Sequence, residues 1–523
     1  MQSVSSLYNR RAQGGVIPLD WGAKISFDKN YNDDIDFGQY DVSMYDDPDY
    51  LYSPSSDNVI QQWDYYEYRD YTGRIIEMEW TREIEFPYSV SAAMADFKVN
   101  NFDDYFTPNS GSPIDQYILP KRPVRLLAGY TGAGLLQQFV GITEKAPVRD
   151  ENTKTVSFHA LDFLSEIFES NLKSVIAMQN VTTDVVLEAI LTQFGISPSS
   201  YSLAKGRNMI PFVFFDKDKN AGNAIRELMQ AEMGNFWIDE QGMIRFEPRL
   251  MLDDTPVMTF DDGNVIDIKS SGEVNTINHI KIVSDVRAVQ EYQPIFTNAR
   301  EAGQAWTPSG DPFVIAANSS RPYNADLTDP CISAVEPTLG EASNISWFTA
   351  VTSAGTPVSS NISVTGSSLN QGQFVVFIEN NNSFPIEIDQ MEIWGEPAKI
   401  INEIRYEAKD QDSIDKYEDQ LLEVQNNFFG NYDNCKSFAL TILDAYSSHD
   451  PMVEMSVKGD FSLQLGDIVQ VDARSYNDMY KITSITNNMS PYQCTIKAQR
   501  YIHKNYAQYD NGFIYDDIWV YAP

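Results

Sequence analysis

Residues 220–248 read NAGNAIRELMQAEMGNFWIDEQGMIRFEP, and this stretch decides how the chain is understood. Ile225, Leu228 and Met229 recur at i, i+3 and i+4, the spacing of one apolar helix face. Asn220 or Asn223 supplies an N-cap, and Gly234 suits a left-handed helix exit. Phe236-Trp237-Ile238 then predicts a strand, Asp239-Glu240-Gln241-Gly242 a turn, and Met243 to Phe246 the returning strand. The unit holds no nucleophile. Phe236, Trp237 and Met243 are its candidates for core or interface contacts.

Outward from this unit, the 523 residues imply several domains. The aromatic content, with 29 Tyr and 28 Phe, fits β-rich domains and protein interfaces as well as ordinary cores. A net charge of −36 argues against a nucleic-acid grip or docking on an anionic membrane. It permits DNA in transit, since an acidic wall repels phosphates over roughly 8 Å at physiological salt. Cys331, Cys435 and Cys494 lie far apart without zinc spacing and read as isolated thiols of a reducing compartment. No apolar signal core opens the chain, and no run reaches the ~18 residues of a membrane span.

Residues 28–71 combine many Asp with many Tyr and read as an arm ordering against a neighbour. From Arg74 strands dominate: Ile76, Met78 and Trp80 alternate, and Phe97–Val99, Val124–Gly129, Leu136–Ile142 and Val156–Leu161 follow. A short helix is expected at Phe163–Phe168. A stronger one spans Thr183–Phe194, capped by Thr182 or Thr183, with Asp184 in its first turn and Gly195 at its stop. Residues 287–399 are rich in Ser, Thr, Asn and Gly, and their short alternating strands suggest an inserted β-sandwich. Lys409–Glu423 contains a charged helical stretch, and Asn434–Ser447 reads as another helix, with Thr441-Ile442-Leu443 equally open to a strand. Pro123–Ala128, Gln137–Glu144 and Thr155–Leu161 share their order with Asp467–Asp472, Met479–Thr486 and Gln493–Gln499, which suggests a repeated β plan.

Chemistry is sparse. His159, His279, His449 and His503 fall in no metal motif, and no nucleophile elbow, P-loop or dinucleotide fingerprint occurs. Asp216 to Gly222, ending at Glu227, imitates a calcium loop, but Ala221 stands where glycine belongs. The clusters Asp33-Asp34-Asp36 and Asp46-Asp47-Asp49 read as a solvated arm. No catalytic, cofactor-binding or metal residue is therefore assigned, and no enzyme is expected.

Several segments, in this order, resemble phage tail hub proteins, the baseplate or tail-tip hubs and minor tail proteins of long-tailed phages. These are Phe97–Pro108, the 220–248 unit after a preceding helix, Ile388–Ala398 closing an insert, and Ser462–Val469 opening a last β domain. The resemblance covers most of residues 74–503. It implies a mainly β fold with α+β parts, in which two tube-like β-barrel domains flank a helix–hairpin α/β segment and carry an inserted β-sandwich. The expected division is 1–73 as an arm, 74–170 as the first tube-like domain and 171–248 as the α/β segment. Residues 249–286 and 400–503 then form the second tube-like domain, 287–399 the insert and 504–523 a tail.

The resemblance further implies a homotrimer closing the distal end of a tail tube, its two barrels per chain giving a pseudo-six-fold ring. Its channel would pass the tape-measure protein and then DNA. Expected neighbours are the distal tail protein ring or tail tube and the tail fibre or tip proteins, in a virion assembled in the host cytoplasm. The alternatives are a receptor-binding adhesin using the insert, or a cell-wall carbohydrate-active enzyme.

Overall fold

The computed structural model describes residues 19–26, 68–84, 89–131, 134–248, 255–270, 276–299, 313–340, 345–370, 372–447, 452–501, 506–508 and 514–516. The Asp33 and Asp46 clusters, His449 and His503 lie outside them.

The N-terminal β region comprises Leu19–Ile25 (β1), Arg69–Asp70 (β2), Ile75–Glu83 (β3), Ser89–Val90 (β4), Met94–Asn100 (β5), Pro123–Tyr130 (β6), Gly134–Thr143 (β7), Val148–Asp150 (β8) and Thr155–Leu161 (β9). Alternation explains its strands. Ala95, Phe97 and Val99 point inward beside Val156, Phe158 and Ala160, and the Phe97 and Phe158 rings stack 4.8 Å apart.

Next come Leu164–Glu169 (α1), Ile176–Thr182 (β10), Thr183–Gln193 (α2), Tyr201–Leu203 (β11), Met209–Phe215 (β12), Ala221–Glu232 (α3), Asn235–Ile238 (β13) and Ile244–Glu247 (β14). Asn220 is the cap of α3: its side-chain oxygen accepts the Asn223 amide at 2.9 Å. Ile225, Leu228 and Met229 are fully buried, as the periodicity predicts. The helix exit differs. Met233, not Gly234, takes the left-handed conformation, at φ 52°. Gly234 is needed for close approach instead, because a Cβ there would lie 2.9 Å from both the Glu247 carbonyl and the Phe246 ring. At α2 Gly195 takes the left-handed conformation at the stop, and Thr182 holds the N-cap position, although its side chain accepts no cap hydrogen bond. The Thr183 hydroxyl donates to buried Glu232, which also accepts the amides of Arg207 and Asn208.

The rest begins with Met258–Asp261 (β15), Val265–Ser270 (β16) and His279–Val289 (β17). The insert contains Gln293–Ala299 (β18), Val314–Ile315 (β19), Ser319–Asp326 (β20), Cys331–Ala334 (β21), Thr338–Leu339 (β22), Trp347–Val351 (β23), Pro357–Val358 (β24), Ile362–Leu369 (β25) and Gln373–Asn380 (β26). Ile386–Lys409 (β27) leads out of it to Gln411–Tyr417 (α4), Leu421–Gln425 (β28) and Tyr432–Tyr446 (α5). Met452–Val457 (β29), Ile468–Ala473 (β30), Tyr476–Met489 (β31) and Tyr492–Arg500 (β32) complete the region, before a short pair, Tyr506–Gln508 (β33) and Ile514–Asp516 (β34).

The fold is mainly β with α+β parts. One 14-stranded sheet unites both β regions in the order β16-β29-β32-β31-β3-β5-β9-β7-β6-β1-β2. They meet where β3 pairs with β31, Glu79–Glu83 against Ser484–Asn488. Among the described residues this path stays open. Within it, β6-β7-β9 and β30-β31-β32 are each an antiparallel meander in chain order.

The insert packs the three-stranded sheet β20-β26-β25 over strands paired to β27, around Phe348, Val376, Ile388 and Met391. The last strand of the insert is longer than its short alternating pattern suggests, because β27 runs unbroken from Ile386 to Lys409. The charged helical stretch expected within Lys409–Glu423 is α4, Gln411–Tyr417. Glu418 turns the chain at φ 66°, and β28 then adds parallel to β17. Asn434–Ser447 resolves as helix: Phe438, Ala439 and Ile442 share one buried face, and Asn431 caps the start through the Asn434 amide.

Candidate functional surface

Two features stand out once the fold is assembled: a solvated sheet face and a buried polar junction behind it.

The face runs over β16, β29, β32, β31, β3, β5 and β9, and its rows follow from strand register. Thr81 lies between Thr486 and Met94, and Thr486 pairs onward with Thr495, which faces Ser456. One row along, Glu79 lies between Asn488 and Asp96, and Asp96 faces His159. Cross-strand contacts order these side chains. The Thr81 and Thr486 hydroxyls are 3.0 Å apart, and the Asn488 amide donates to Glu79 at 2.9 Å. The Lys98 ammonium is 2.7 Å from Glu77, and His159 Nδ1 is 2.8 Å from Asp96. Such exposed pairs are worth at most about 1 kcal/mol each. They make the face hydrated and ordered rather than sticky. The alternate residues of the same strands, among them Met78, Trp80, Ile485 and Ile496, are buried.

Behind the face, the turn of the 220–248 unit enters the seam between the two β regions. Glu240 is 1% exposed and forms an ion pair with Arg82 of β3, itself 3% exposed. The Glu240 carboxylate accepts the Gln464 side-chain amide and its carbonyl accepts that of Gln137, both at 2.8 Å. Arg82 also donates to the Leu463 carbonyl. Burial pushes the Arg82 guanidinium down to about 10, with Asp239 opposing, so it stays charged at neutral pH. Asp239 organises the turn, accepting the Gln241 and Met243 amides and the Arg245 guanidinium. The hairpin faces divide the cores. Phe236 and Ile238 join the α/β core, whereas Trp237 packs with Phe260, Val469 and Ile496 of the second β region. Met243 is half-buried.

The other singled-out residues have structural partners. Asn220 of the calcium-like stretch caps α3, and Glu227 pairs with Lys219 at 2.7 Å. Burial pushes the Cys331, Cys435 and Cys494 thiols up to about 12, which makes them poor nucleophiles. Among the described residues no group of His, Cys, Asp and Glu is arranged to hold a metal ion. Sequence reading missed the Arg82–Glu240 junction. One signal was present: Met78, Trp80 and Arg82 alternate, so a charged residue occupies an inward position.

No protein-family model matches the sequence, and no curated protein matches it. Among solved structures, the chain is similar to the 43 kDa tail protein of prophage MuSo2 from Shewanella oneidensis. The identity is 12% and the TM-score 0.45, over 83% of this chain and 96% of that one. A tail protein from Neisseria meningitidis MC58 gives 9% and 0.45, over 83% and 94%. Prophage tail protein gp18 from Listeria monocytogenes gives 11% and 0.40, over 83% and 92%. The structural neighbours are phage tail and baseplate proteins together with type VI secretion proteins.

Proposed function

We propose that this chain is a structural virion protein, a hub closing the distal end of a phage tail tube, and that it is not an enzyme. The observation that carries the reading is the single sheet joining two meanders of like order through β3 and β31. Two similar β units per chain let a trimer offer six, matching a six-fold tube to a three-fold tip. The ordered family-like segments over residues 74–503 support the same reading. Under it, the row of Thr81 and the neighbouring row of Glu79 and Asp96 face the channel. A hydrated wall with carboxylates lets the tape-measure protein and DNA pass without adhering. The junction at Glu240 then holds the two β units at one fixed angle.

The test is a particle reconstruction or a native mass of the purified chain. A three-fold ring at the tube end, with Glu79 and Asp96 toward its axis, is the expected result. A monodisperse monomer that never joins particles would overturn it.

A second reading, a receptor-binding adhesin, is favoured by one observation: the insert has its own core. Particles lacking the insert that assemble normally yet fail to adsorb would establish it.

A further inference from the structure

We propose that Ile401 is a pivot on which the inserted sandwich swings as one body against the rest of the chain. The chain enters the insert from β17 and leaves it along β27, the two strands lying side by side where Val289 faces Ala398. β27 serves two cores in turn. Ile386, Ile388, Met391 and Ile393 are buried in the insert, and Ile404 is buried in the α/β core. Between them Lys399, Ile400, Ile401, Asn402 and Glu403 are all exposed, Ile400 to 48% and Ile401 to 61%. Successive strand side chains point to opposite faces, so five exposed neighbours leave β27 uncovered on both.

The pivot falls at one step of the ladder. Val286 pairs with Asn402 and Arg287 with Ile400, so Ile401 is an extra residue, a bulge. A bulge interrupts the ladder, bends its strand and raises the twist. Each side of this step is fastened to its own body. On the insert side, Arg287 donates to the Ala398 carbonyl at 2.7 Å and pairs with Asp329 at 3.1 Å. The Gln290 amide donates to the Pro397 carbonyl at 2.8 Å, and the Ala398 amide to the Pro330 carbonyl at 2.7 Å. On the other side, the Asn426 amide donates to the Val283 carbonyl at 3.1 Å, and the Asp285 amide to the Asn427 side chain at 3.0 Å.

A two-stranded ribbon is only marginally stable by itself, so an uncovered stretch of one is soft. Bending at Ile401 opens neither core and breaks none of the fastenings on either side. β21 passes beside β10 of the α/β segment, yet its Cys331 and Ser333 side chains bond within the insert, to the Asp329 carbonyl and the Glu396 carboxylate. The insert can therefore meet a partner at more than one angle while the 14-stranded sheet keeps its shape. The pivot does not rest on the reading of the chain as a hub.

The test is double electron–electron resonance on the full chain. The native cysteines are buried, so spin labels go to introduced ones at exposed positions. Glu423→Cys of β28 with Ser363→Cys of β25 spans the pivot. Glu423→Cys with Lys436→Cys of α5 lies within the main body, and Ser363→Cys with Thr297→Cys of β18 within the insert. The distance distribution across the pivot should be about twice as wide as either internal one. Deleting Ile401 joins the two registers into one regular ladder and should narrow that distribution to the internal width. Equal widths in all three pairs would overturn the pivot. So would an unchanged width after the deletion. If the deletion does not fold, amide exchange in the unaltered chain serves. Faster exchange of the ladder-bonded amides of Lys399–Asn402 than of those of Ile404–Lys409 supports the pivot, and equal protection overturns it.

Discussion

The helix–hairpin unit and the inserted sandwich are attached to the same molecule in opposite ways. The hairpin is embedded. Its two faces feed two different cores, and its polar tip lies between three segments with its carboxylate paired. The insert keeps its own core and joins the rest mainly through β17 and β27. At that neck Lys399 to Glu403 are exposed on both faces of the ribbon, Ile401 to 61%, beside a register shift opposite Val286 and Arg287. Arg287 steadies the neck by donating to the Ala398 carbonyl and pairing with Asp329. A segment that shares cores is a strut, and a segment with a private core on a two-stranded stem is an appendage.

The largest effect should come from breaking the strut. Glu240→Ala leaves Arg82 buried without its carboxylate, and about 3–5 kcal/mol of stability should be lost in denaturant titration. A loss below about 1 kcal/mol would mean that the tip is no strut. Gly234→Ala should follow, at about 1–3 kcal/mol, because its Cβ would press on the Glu247 carbonyl and the Phe246 ring.

A pH effect separates the first β region from the appendage. Asp162 is buried, accepts the Ala93 and Leu164 amides, and has its carboxyl pushed up to about 7 by burial. The folded chain thus holds this proton more tightly than the unfolded one. Its contribution is complete below the ordinary Asp range and is lost as pH rises through about 7. Stability of wild type relative to Asp162→Asn should accordingly fall between about pH 4 and about pH 8. An unchanging difference would refute this. The smallest effect belongs to the appendage. Val289 faces Ala398 across the neck, so replacing residues 290–397 with an Asn-Gly turn should close a hairpin. The thermal midpoint of the remainder should then move by only a few degrees. Collapse of the whole fold would show that the insert, too, is a strut.

Much of this was legible in the chain. Period-2 alternation placed strands at Phe97–Val99 and Val156–Leu161, within β5 and β9, and helical spacing with an Asn cap placed α3. Reading failed where one residue type serves two purposes. Gly234 looked like a left-handed exit, yet its lack of a side chain is used for contact. The charged helical stretch within Lys409–Glu423 was legible, but the parallel strand that follows it was not, because Leu421–Gln425 pairs with β17, far away in sequence. His279 looked like any strand histidine, because Glu407 and Asp419, whose carboxylates it meets, lie over a hundred positions away.

By itself the sequence determined the elements and their facing, since burial periodicity and capping are local. It also determined the absence of familiar catalytic spacings and the acidic balance. The tertiary structure alone decided that the two β regions are one sheet, that Glu240 closes their seam, and that His279 meets two carboxylates. Those depend on which strand edges pair and which distant charges share a buried site, and neither leaves a period in the chain.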